Sequence, residues 1–275
     1  MNIQSIPAIK GLLIDLDGTM YQGTRPVEGA DQLIRFLKSS NIAYRFVTNN
    51  SSATPEDVAA RLNGMGIPAE PQDVCTSGQA AAVYIAERQP GASVFVIGMK
   101  GLRQALLDSG LQLTDERPDY VVQGIDRQFT YDLLARAVRH IREGAPYILT
   151  NPDLLVPSTD GLVPGAGSIS AMLRAASGTE PIVIGKPSSI LMDYALKQIG
   201  LSAQDTWVVG DNLATDIAAG KASGCGTMLV LTGLTTRDNY DGYARAAGCE
   251  PDRIYETLDA LTEEIAAMLE LNKTV

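Results

Sequence analysis

Short apolar runs alternate with amphipathic stretches along most of the chain. An apolar run bounded by turn-forming residues is typical of a buried strand, and apolar repeats at helical spacing predict the helices in between. Strands that alternate with helices indicate an α/β fold built on mostly parallel sheet. The predicted strands are Ile9–Ile14, Ile42–Val47, Val94–Ile97, Tyr120–Gln123, Tyr147–Leu149, Ile182–Ile184, Trp207–Val209 and Thr227–Leu231.

Helices are predicted between these strands. One begins at Thr54-Pro55-Glu56-Asp57. Thr54 is placed to cap the helix, Pro55 fits the first helical position, and Asp57 lies three residues after the cap, where its carboxylate can accept the N–H of the capping residue. The stretch Asn151–Gly167 is rich in Pro and Gly, so we expect an irregular segment that is functional or connects domains. Further helices are predicted at Gly78–Arg88, Leu102–Ser109, Tyr131–Glu143, Ser168–Ala176, Ser189–Ile199, Ala214–Ala222 and Ala260–Leu271.

Length and charge narrow the function classes. At about 150 residues per domain, a chain of 275 residues predicts roughly two domains. The 22 basic and 32 acidic residues give a net charge of -10, which argues against nucleic-acid partners and anionic membranes. The three cysteines form no CxxC pair, so neither a disulfide framework nor a thiolate zinc site is expected. The cysteine pattern makes a reducing, cytoplasmic setting the expected one, and no apolar run is long enough to predict a membrane span.

Chemically active groups follow four of the predicted strands. In open α/β sheets, ligands bind beyond the carboxyl ends of the strands, so these groups are expected to share one pocket. Together they offer carboxylates, a hydroxyl, an amide and one ammonium, which is typical of a metal-assisted phosphate site. They are Asp15-Leu16-Asp17-Gly18-Thr19, Thr48-Asn49, Lys186, and Gly210-Asp211 with Asp216.

Each of these groups has a chemical task in such a site. Asp15 and Asp211 supply the hard oxygen ligands that suit Mg²⁺. A phosphate dianion would enter so acidic a pocket only if Mg²⁺ and Lys186 offset the charge. Thr48 and the backbone N–H groups after Asp15 can hold phosphate oxygens, and Gly18 lets the backbone come close.

The same pattern suggests a covalent mechanism. Asp15 can attack the phosphorus and form an aspartyl-phosphate. Asp17 can protonate the leaving oxygen and then deprotonate the hydrolytic water. Tyr21, just past this turn, could stack on a leaving group, but we expect it to pack on the surface.

Two other functions use a similar set of residues. A receiver-like signalling module also combines an acidic Mg²⁺ pocket with Thr and Lys, although it is much shorter. A phosphotransferase or phosphomutase would pass the phosphoryl group to a second sugar instead of water. The strand-end residues alone leave both alternatives open.

The motifs resemble those of the haloacid dehalogenase-type phosphatase superfamily. Within it, the chain is most similar to the NagD-like branch, subfamily IIA, which includes p-nitrophenyl phosphatases and sugar phosphatases. Beyond the four strand ends, the resemblance rests on Thr48-Asn49-Asn50-Ser51, Thr150-Asn151-Pro152-Asp153, Pro164-Gly165-Ala166-Gly167, Gly185-Lys186-Pro187 and Gly210-Asp211-Asn212-Leu213-Ala214-Thr215-Asp216-Ile217.

The resemblance implies a Rossmann-like, doubly wound core with a large α/β cap of the C2 type between the second and third motifs. The chain agrees, because about 130 residues separate Thr48 from Lys186, too many for one crossover between parallel strands. We place the cap at 79–181 and the core at 1–78 and 182–275. Caps of this type can mediate dimers, so either a monomer or a homodimer is expected.

The resemblance also implies roles for single residues. Asp15 is the expected nucleophile and Asp17 the general acid/base. Phosphate would be bound by Thr48, Asn49 and Lys186, with Gly18 beside them. Mg²⁺ would be held by Asp15, the Asp17 carbonyl and Asp211, with Asp216 acting directly or through water. In the cap, Asn151 and Asp153 could line the substrate entrance or merely form a turn.

Overall fold

A computed structural model describes residues 9–158 and 161–273. The strands are β1 (Gly11–Ile14), β2 (Tyr21–Gln22), β3 (Arg25–Pro26), β4 (Ala43–Thr48), β5 (Val74–Thr76), β6 (Ser93–Ile97), β7 (Gln112–Leu113), β8 (Tyr120–Gln123), β9 (Tyr147–Leu149), β10 (Leu155–Ser158), β11 (Gly161–Pro164), β12 (Ile182–Val183), β13 (Thr206–Gly210), β14 (Gly226–Val230) and β15 (Arg253–Tyr255).

The helices are α1 (Ala30–Ser39), α2 (Pro55–Gly64), α3 (Ser77–Ala86), α4 (Lys100–Asp108), α5 (Tyr131–Arg142), α6 (Ala166–Ser177), α7 (Ser189–Ile199), α8 (Ala218–Ser223), α9 (Tyr240–Ala247) and α10 (Leu258–Lys273). A π-helical turn, Leu213–Ile217, leads directly into α8. The predicted start of α2 is confirmed: the Thr54 hydroxyl accepts the Asp57 N–H at 3.2 Å, and the Asp57 carboxylate accepts the Thr54 N–H at 3.3 Å. Among the described residues, no helix is both long and apolar enough to cross a bilayer.

The first sheet is parallel and has six strands in the order β15-β14-β13-β1-β4-β5. From β1 the chain winds through β4 and β5 to one edge, and later returns to β13 and winds to the other edge. Side chains alternate across it, so Leu12 and Ile14 face the cluster with α1 and α10, whereas Leu13 faces the side of α7. Helices on both faces make this the predicted doubly wound core.

The second sheet is also parallel and has the order β12-β9-β8-β6-β7. One face packs on α5 and α6 through Phe95 and Tyr147. The other face, with Val94 and Val122, joins the apolar cluster that also contains Leu13 of the first sheet. The two sheets therefore share a hydrophobic cluster, and α3 packs against both α4 and α7 between them.

Two sequence expectations differ from the structure. Within Asn151–Gly167, expected to be irregular, β10 and β11 form an antiparallel hairpin. The prolines that suggested irregularity are tolerated there, because a two-stranded ribbon leaves the outer side of each strand without a ladder to maintain.

The predicted strand Ile182–Ile184 was expected to lie in the core sheet just before Lys186. Its residues 182 and 183 belong to the second sheet instead. Ile182–Val183 pairs in parallel with β9 at the edge of the second sheet, and the chain crosses to the core only afterwards. The assignment of 182–275 to the core therefore begins too early with respect to sheet membership. We propose that the inserted unit extends through Val183.

Candidate active site

The candidate site lies where the first sheet reverses its winding. Strand β1 pairs in parallel with β13 on one side and with β4 on the other. Asp15, Asp211 and Thr48 therefore lie side by side at the carboxyl ends of these three strands. The Asp15 N–H donates to the carbonyl of Val209 at 2.8 Å and extends this pairing to the acidic residue. The chain reversal opens a crevice at this point, as in other doubly wound sheets.

Three buried carboxylates meet in this crevice. Asp15, Asp211 and Asp216 each offer an oxygen, and these oxygens all lie within 4.8 Å of one another. The buried hydroxyl of Thr19 lies 3.3 Å from Oδ2 of Asp15 and 3.4 Å from Oδ1 of Asp211. Those two oxygens thus face a common point, as ligands of one cation must.

A buried ammonium lies against the acids. Nζ of Lys186 donates to Oδ1 of Asp15, to Oδ1 of Asp216 at 2.6 Å and to the Val47 carbonyl at 3.2 Å. Burial alone would lower the pKa of this ammonium, but the charges of Asp15 and Asp216 outweigh burial and raise it. Lys186 is therefore held protonated, with all three donors engaged.

One ammonium does not balance three carboxylates. Burial, followed by the charge of Asp216, raises the pKa of Asp15 despite the opposing effect of Lys186. Burial and the charge of Asp216 also raise the pKa of Asp211 to about 7. The cluster carries excess negative charge when ionised, which a divalent cation would relieve.

Asn49 and Thr48 use their side chains differently. The Asn49 side chain accepts the Lys186 N–H at 2.7 Å and donates to the Lys186 carbonyl at 3.0 Å, so it clamps the lysine backbone. The Thr48 hydroxyl accepts the N–H of Asn50 at 3.1 Å, which leaves its own hydrogen for a ligand. The geometry suits Thr48 to binding an anion and Asn49 to positioning Lys186.

The second acid of the first motif lies apart from the buried cluster. Asp17 is exposed, and its Oδ2 accepts the hydroxyl of Tyr21 at 3.0 Å. Reduced hydration raises the pKa of Asp17, while the Tyr21 hydrogen bond and the charge of Arg61 oppose the rise. Asp15 and Asp17 therefore occupy different environments, which is what a nucleophile and an acid/base require.

Comparison with known proteins agrees with this geometry. A model of haloacid dehalogenase-like hydrolases matches residues 12–112, and a second model of HAD-hydrolase-like proteins matches residues 183–261. A 5'-nucleotidase, YutF, of Bacillus subtilis is 44% identical over 256 residues, which cover 93% of this chain and 97% of the relative. The chain belongs to the haloacid dehalogenase-like hydrolases.

Other members of the family place the chain among its phosphatases. An acid sugar phosphatase of Staphylococcus aureus is 46% identical over 84% of this chain and 89% of its own. The structure of a p-nitrophenyl phosphatase from Archaeoglobus fulgidus superposes with a TM-score of 0.89 at 37% identity, covering 94% of this chain and 100% of that one. The NagD-like resemblance and the phosphatase class are confirmed, and the receiver-like alternative is wrong.

Glycines in this hydrolase make room for its acids. Gly18 has a φ of 95°, and a Cβ there would overlap the Asp211 carboxylate. A Cβ on Gly233 would overlap the same carboxylate, and one on Gly210 would overlap Asp216. The N–H of Gly18 donates to the Tyr21 carbonyl at 2.8 Å, so Gly18 serves close approach rather than direct donation to a phosphate.

The cap reaches the site through the segment after β9. The Asn151 side chain accepts the Asp153 N–H at 2.7 Å. This hydrogen bond closes a turn, which was one of the two expectations for this motif. Burial raises the pKa of Asp153, and the charge of Lys186 opposes it, so this carboxyl lies within electrostatic reach of the core site.

Several residues of this site carry no signal of their own in the sequence patterns. Thr19 belongs to the acidic motif but has no predicted contact with Asp211, and the loop after β14 contains no motif residue. The Leu234 N–H donates to Oδ2 of Asp211 at 2.5 Å, and the Thr232 hydroxyl donates to the Gly18 carbonyl at 2.8 Å. Tyr21 was expected on the surface but is buried. The position of Thr232-Gly233-Leu234 after a buried strand was the available signal.

Proposed function

We propose that the chain is a Mg²⁺-dependent phosphomonoester hydrolase that works through an aspartyl-phosphate intermediate. Its substrates would be small phosphorylated metabolites, sugar phosphates among them, together with p-nitrophenyl phosphate. The observation that carries the proposal is the pairing of a buried Asp15, in an acid cluster with Lys186, with an exposed Asp17 on the same turn. We further propose a cytoplasmic enzyme acting as a monomer or homodimer.

The acid cluster fits a hard divalent cation. Asp15 and Asp211 each direct an oxygen toward Thr19, whereas Asp216 uses its oxygens on Lys186 and on the N–H of Asn212 at 3.1 Å. We therefore assign Asp15 and Asp211 as direct ligands and Asp216 as a ligand through water; the family resemblance adds the Asp17 carbonyl as a further direct ligand. Bound Mg²⁺ would supply the positive charge that offsets both the acids and an incoming phosphate.

In the first step, a carboxylate oxygen of Asp15 attacks the phosphorus, and the bond to the leaving oxygen breaks. Asp17 gives its proton to that oxygen, so the alcohol departs neutral. The raised pKa of Asp17 supports this role, because the carboxyl must begin protonated. The Thr48 hydroxyl and the N–H groups after Asp15 hold the remaining phosphate oxygens. Lys186, whose three donors bind Asp15, Asp216 and Val47, contributes its positive charge.

In the second step, water attacks the phosphorus of the aspartyl-phosphate. Asp17, now ionised, accepts the proton of that water, and the bond between phosphorus and Asp15 breaks to release inorganic phosphate. The same carboxyl thus acts once as acid and once as base. The cap would exclude bulk water and contact the leaving group, with Asp153 the nearest candidate residue.

The proposed substrate class rests on the names of the relatives and on the net charge of the chain. The names of the relatives refer to a 5'-nucleotide, to sugar phosphates and to p-nitrophenyl phosphate. These esters share a small phosphate monoester and differ in the leaving group. A net charge of -10 also disfavours polyanionic substrates such as nucleic acids.

The test is a panel of phosphate esters assayed for release of inorganic phosphate. The panel contains p-nitrophenyl phosphate, hexose phosphates, glycerol phosphate and nucleoside 5'-monophosphates, each with Mg²⁺ and with EDTA. We expect hydrolysis that EDTA abolishes and Mg²⁺ restores, with no need for zinc. Transfer of phosphate to an added sugar in place of water would favour the phosphotransferase alternative. Absence of phosphate release from every ester would contradict the proposal.

A further inference from the structure

A tyrosine holds the exposed acid of the first motif. The hydroxyl of Tyr21 donates to Oδ2 of Asp17 at 3.0 Å, which is a normal hydrogen-bond length. Asp17 is exposed, whereas Tyr21 is only 3% exposed. The carboxylate that could move most freely in this site is thus tied to a side chain with little freedom to move.

The surroundings of Tyr21 fix its ring. Its ring belongs to the apolar cluster of the first sheet, and the Arg61 guanidinium lies 4.5 Å from the ring centroid. Arg61 also donates to the Gly23 carbonyl at 2.7 Å, on the tip of the β2–β3 hairpin. The Tyr21 carbonyl accepts the Gly18 N–H at 2.8 Å. The ring is therefore held by packing, by a cation–π contact and through its own backbone.

We propose that Tyr21 is a positioning residue for proton transfer by Asp17. Because Tyr21 occupies Oδ2, the other carboxyl oxygen, Oδ1, is left to exchange a proton with the leaving group and the water. The hydrogen bond selects one orientation of Asp17 before substrate arrives. Restricting a catalytic group in this way lowers the entropic cost of the step. Arg61 supports Tyr21 and has no direct part in the chemistry.

This inference rests on the proposed hydrolase function and adds an expectation about how the rate depends on the leaving group. Protonation of the leaving oxygen matters most when the departing group is a strong base, so loss of Asp17 alignment should penalise poor leaving groups most. p-Nitrophenolate is a much weaker base than phenolate, while the two esters have similar shapes. The ratio of their rates therefore reports the alignment of the acid and largely cancels effects on binding.

The test compares Tyr21→Phe with the wild type on p-nitrophenyl phosphate and phenyl phosphate. The measured quantity is kcat/KM with Mg²⁺, which reports the steps through departure of the leaving group. General acid/base catalysis contributes about 10²- to 10⁴-fold, so partial loss of alignment should lower kcat/KM for phenyl phosphate about 10-fold more than for p-nitrophenyl phosphate. The loss should appear in kcat rather than in KM, because the Tyr21 hydroxyl is bonded to Asp17.

Tyr44→Phe is the matched control. It also removes a hydroxyl from a buried tyrosine, one that donates to the Asp73 carboxylate at 3.1 Å, far along the chain from the acidic motif. We expect it to leave the ratio unchanged. Equal losses on both esters, or no loss, in a folded Tyr21→Phe protein would overturn the positioning role alone. If the wild type hydrolyses neither ester, the proposed function fails first, and this inference fails with it.

Discussion

The two sheets of this protein have the same architecture but different chemistry at the point where their winding reverses. In the first sheet, that point lies between β1 and β13 and carries the Asp15 and Asp211 carboxylates. In the second sheet, it lies between β6 and β8 and carries Gln123. Gln123 is fully buried and donates to the Gly124 and Ala166 carbonyls at 2.6 and 3.1 Å.

The difference separates two requirements of a binding site: the strand order creates the crevice, and the residues at the strand ends decide whether the crevice can bind a ligand. A reversal in a parallel sheet makes a crevice at the strand ends in both cases. In the second sheet, Gln123 also accepts the Tyr147 hydroxyl at 2.7 Å, so its polar groups are satisfied internally and nothing is left for a ligand. In the first sheet, the acids exceed the available positive charge, and this imbalance is what a metal and a phosphate can use.

The strongest test of this contrast removes the nucleophile. Asp15→Asn keeps the size of the side chain and removes the anionic oxygen that attacks phosphorus. We expect hydrolysis of p-nitrophenyl phosphate to fall by about 10⁴-fold or more, with the fold retained by circular dichroism. The corresponding change in the other sheet, Gln123→Glu made together with Asp15→Asn, adds a carboxylate and should restore no activity. Full activity in Asp15→Asn would refute the nucleophile assignment.

A smaller effect is expected from crowding the acid cluster. In Gly233→Ala, the new methyl group would overlap Oδ2 of Asp211 and lie 2.7 Å from Cα of Gly18. The carboxylate must shift, so we expect the Mg²⁺ concentration for half-maximal activity to rise by about 10- to 100-fold. Gly242→Ala is the control, since a Cβ there would meet nothing within 4 Å. An unchanged Mg²⁺ requirement in Gly233→Ala would show that Asp211 can bind metal from another position.

The acid cluster should also make stability depend on pH when no metal is present. The pKa of Asp211 is raised from 3.8 to about 7, first by burial and then by Asp216, so the folded state binds more protons than the unfolded state between those values. Stability from this group is therefore lost as pH rises toward neutrality. We expect the Tm of EDTA-treated protein to be higher at about pH 6 than at about pH 8.

Added Mg²⁺ should act in the opposite direction, because it competes with the proton for the same oxygens. Its stabilising effect should be larger at the higher pH. Asp211→Asn should remove part of the pH dependence of the metal-free protein and leave the part that comes from Asp15, whose pKa burial also raises. A Tm of the metal-free wild type that rises with pH over this range would contradict the excess-charge account.

The sequence predicted most elements that periodicity can reveal. Tyr120–Gln123, Tyr147–Leu149 and Ser189–Ile199 have the predicted bounds, because their apolar runs end in clear polar or glycine breaks. The three-residue strands β5 and β15 were missed, since so few residues show no period. The apolar spacing predicts an ordinary helix over Ala214–Ala222, because a π-helical turn such as the one before α8 has a similar spacing.

The site was predictable where chemistry follows a strand in sequence, as for Asp15, Thr48 and Asp211. It was not predictable where a residue acts through a neighbour distant along the chain. The Asn49 clamp on Lys186 and the overlap of Gly233 with Asp211 depend on strand order, which periodicity does not give. Tyr21 was expected on the surface because it lies between an acidic turn and Gln22-Gly23, while its ring is buried against another part of the core.

The smallest effect on catalysis is expected at the reversal of the second sheet. Gln123→Leu removes a hydrogen-bond partner from the Ala166 carbonyl and from the Tyr147 hydroxyl, which keeps Ser170 Oγ at 2.8 Å. Each lost hydrogen bond costs about 0.5–1.5 kcal/mol. We expect the free energy of unfolding to fall by about that much, with kcat/KM for p-nitrophenyl phosphate changed less than about threefold. Gln104→Leu on the exposed face of α4 is the control, because its hydrogen bond to Asp108 is solvated and its loss should be nearly neutral. If folded Gln123→Leu instead lost about 10-fold or more of its kcat/KM at saturating Mg²⁺, the second crevice would contribute to the reaction, and the division of chemistry between the sheets would be wrong.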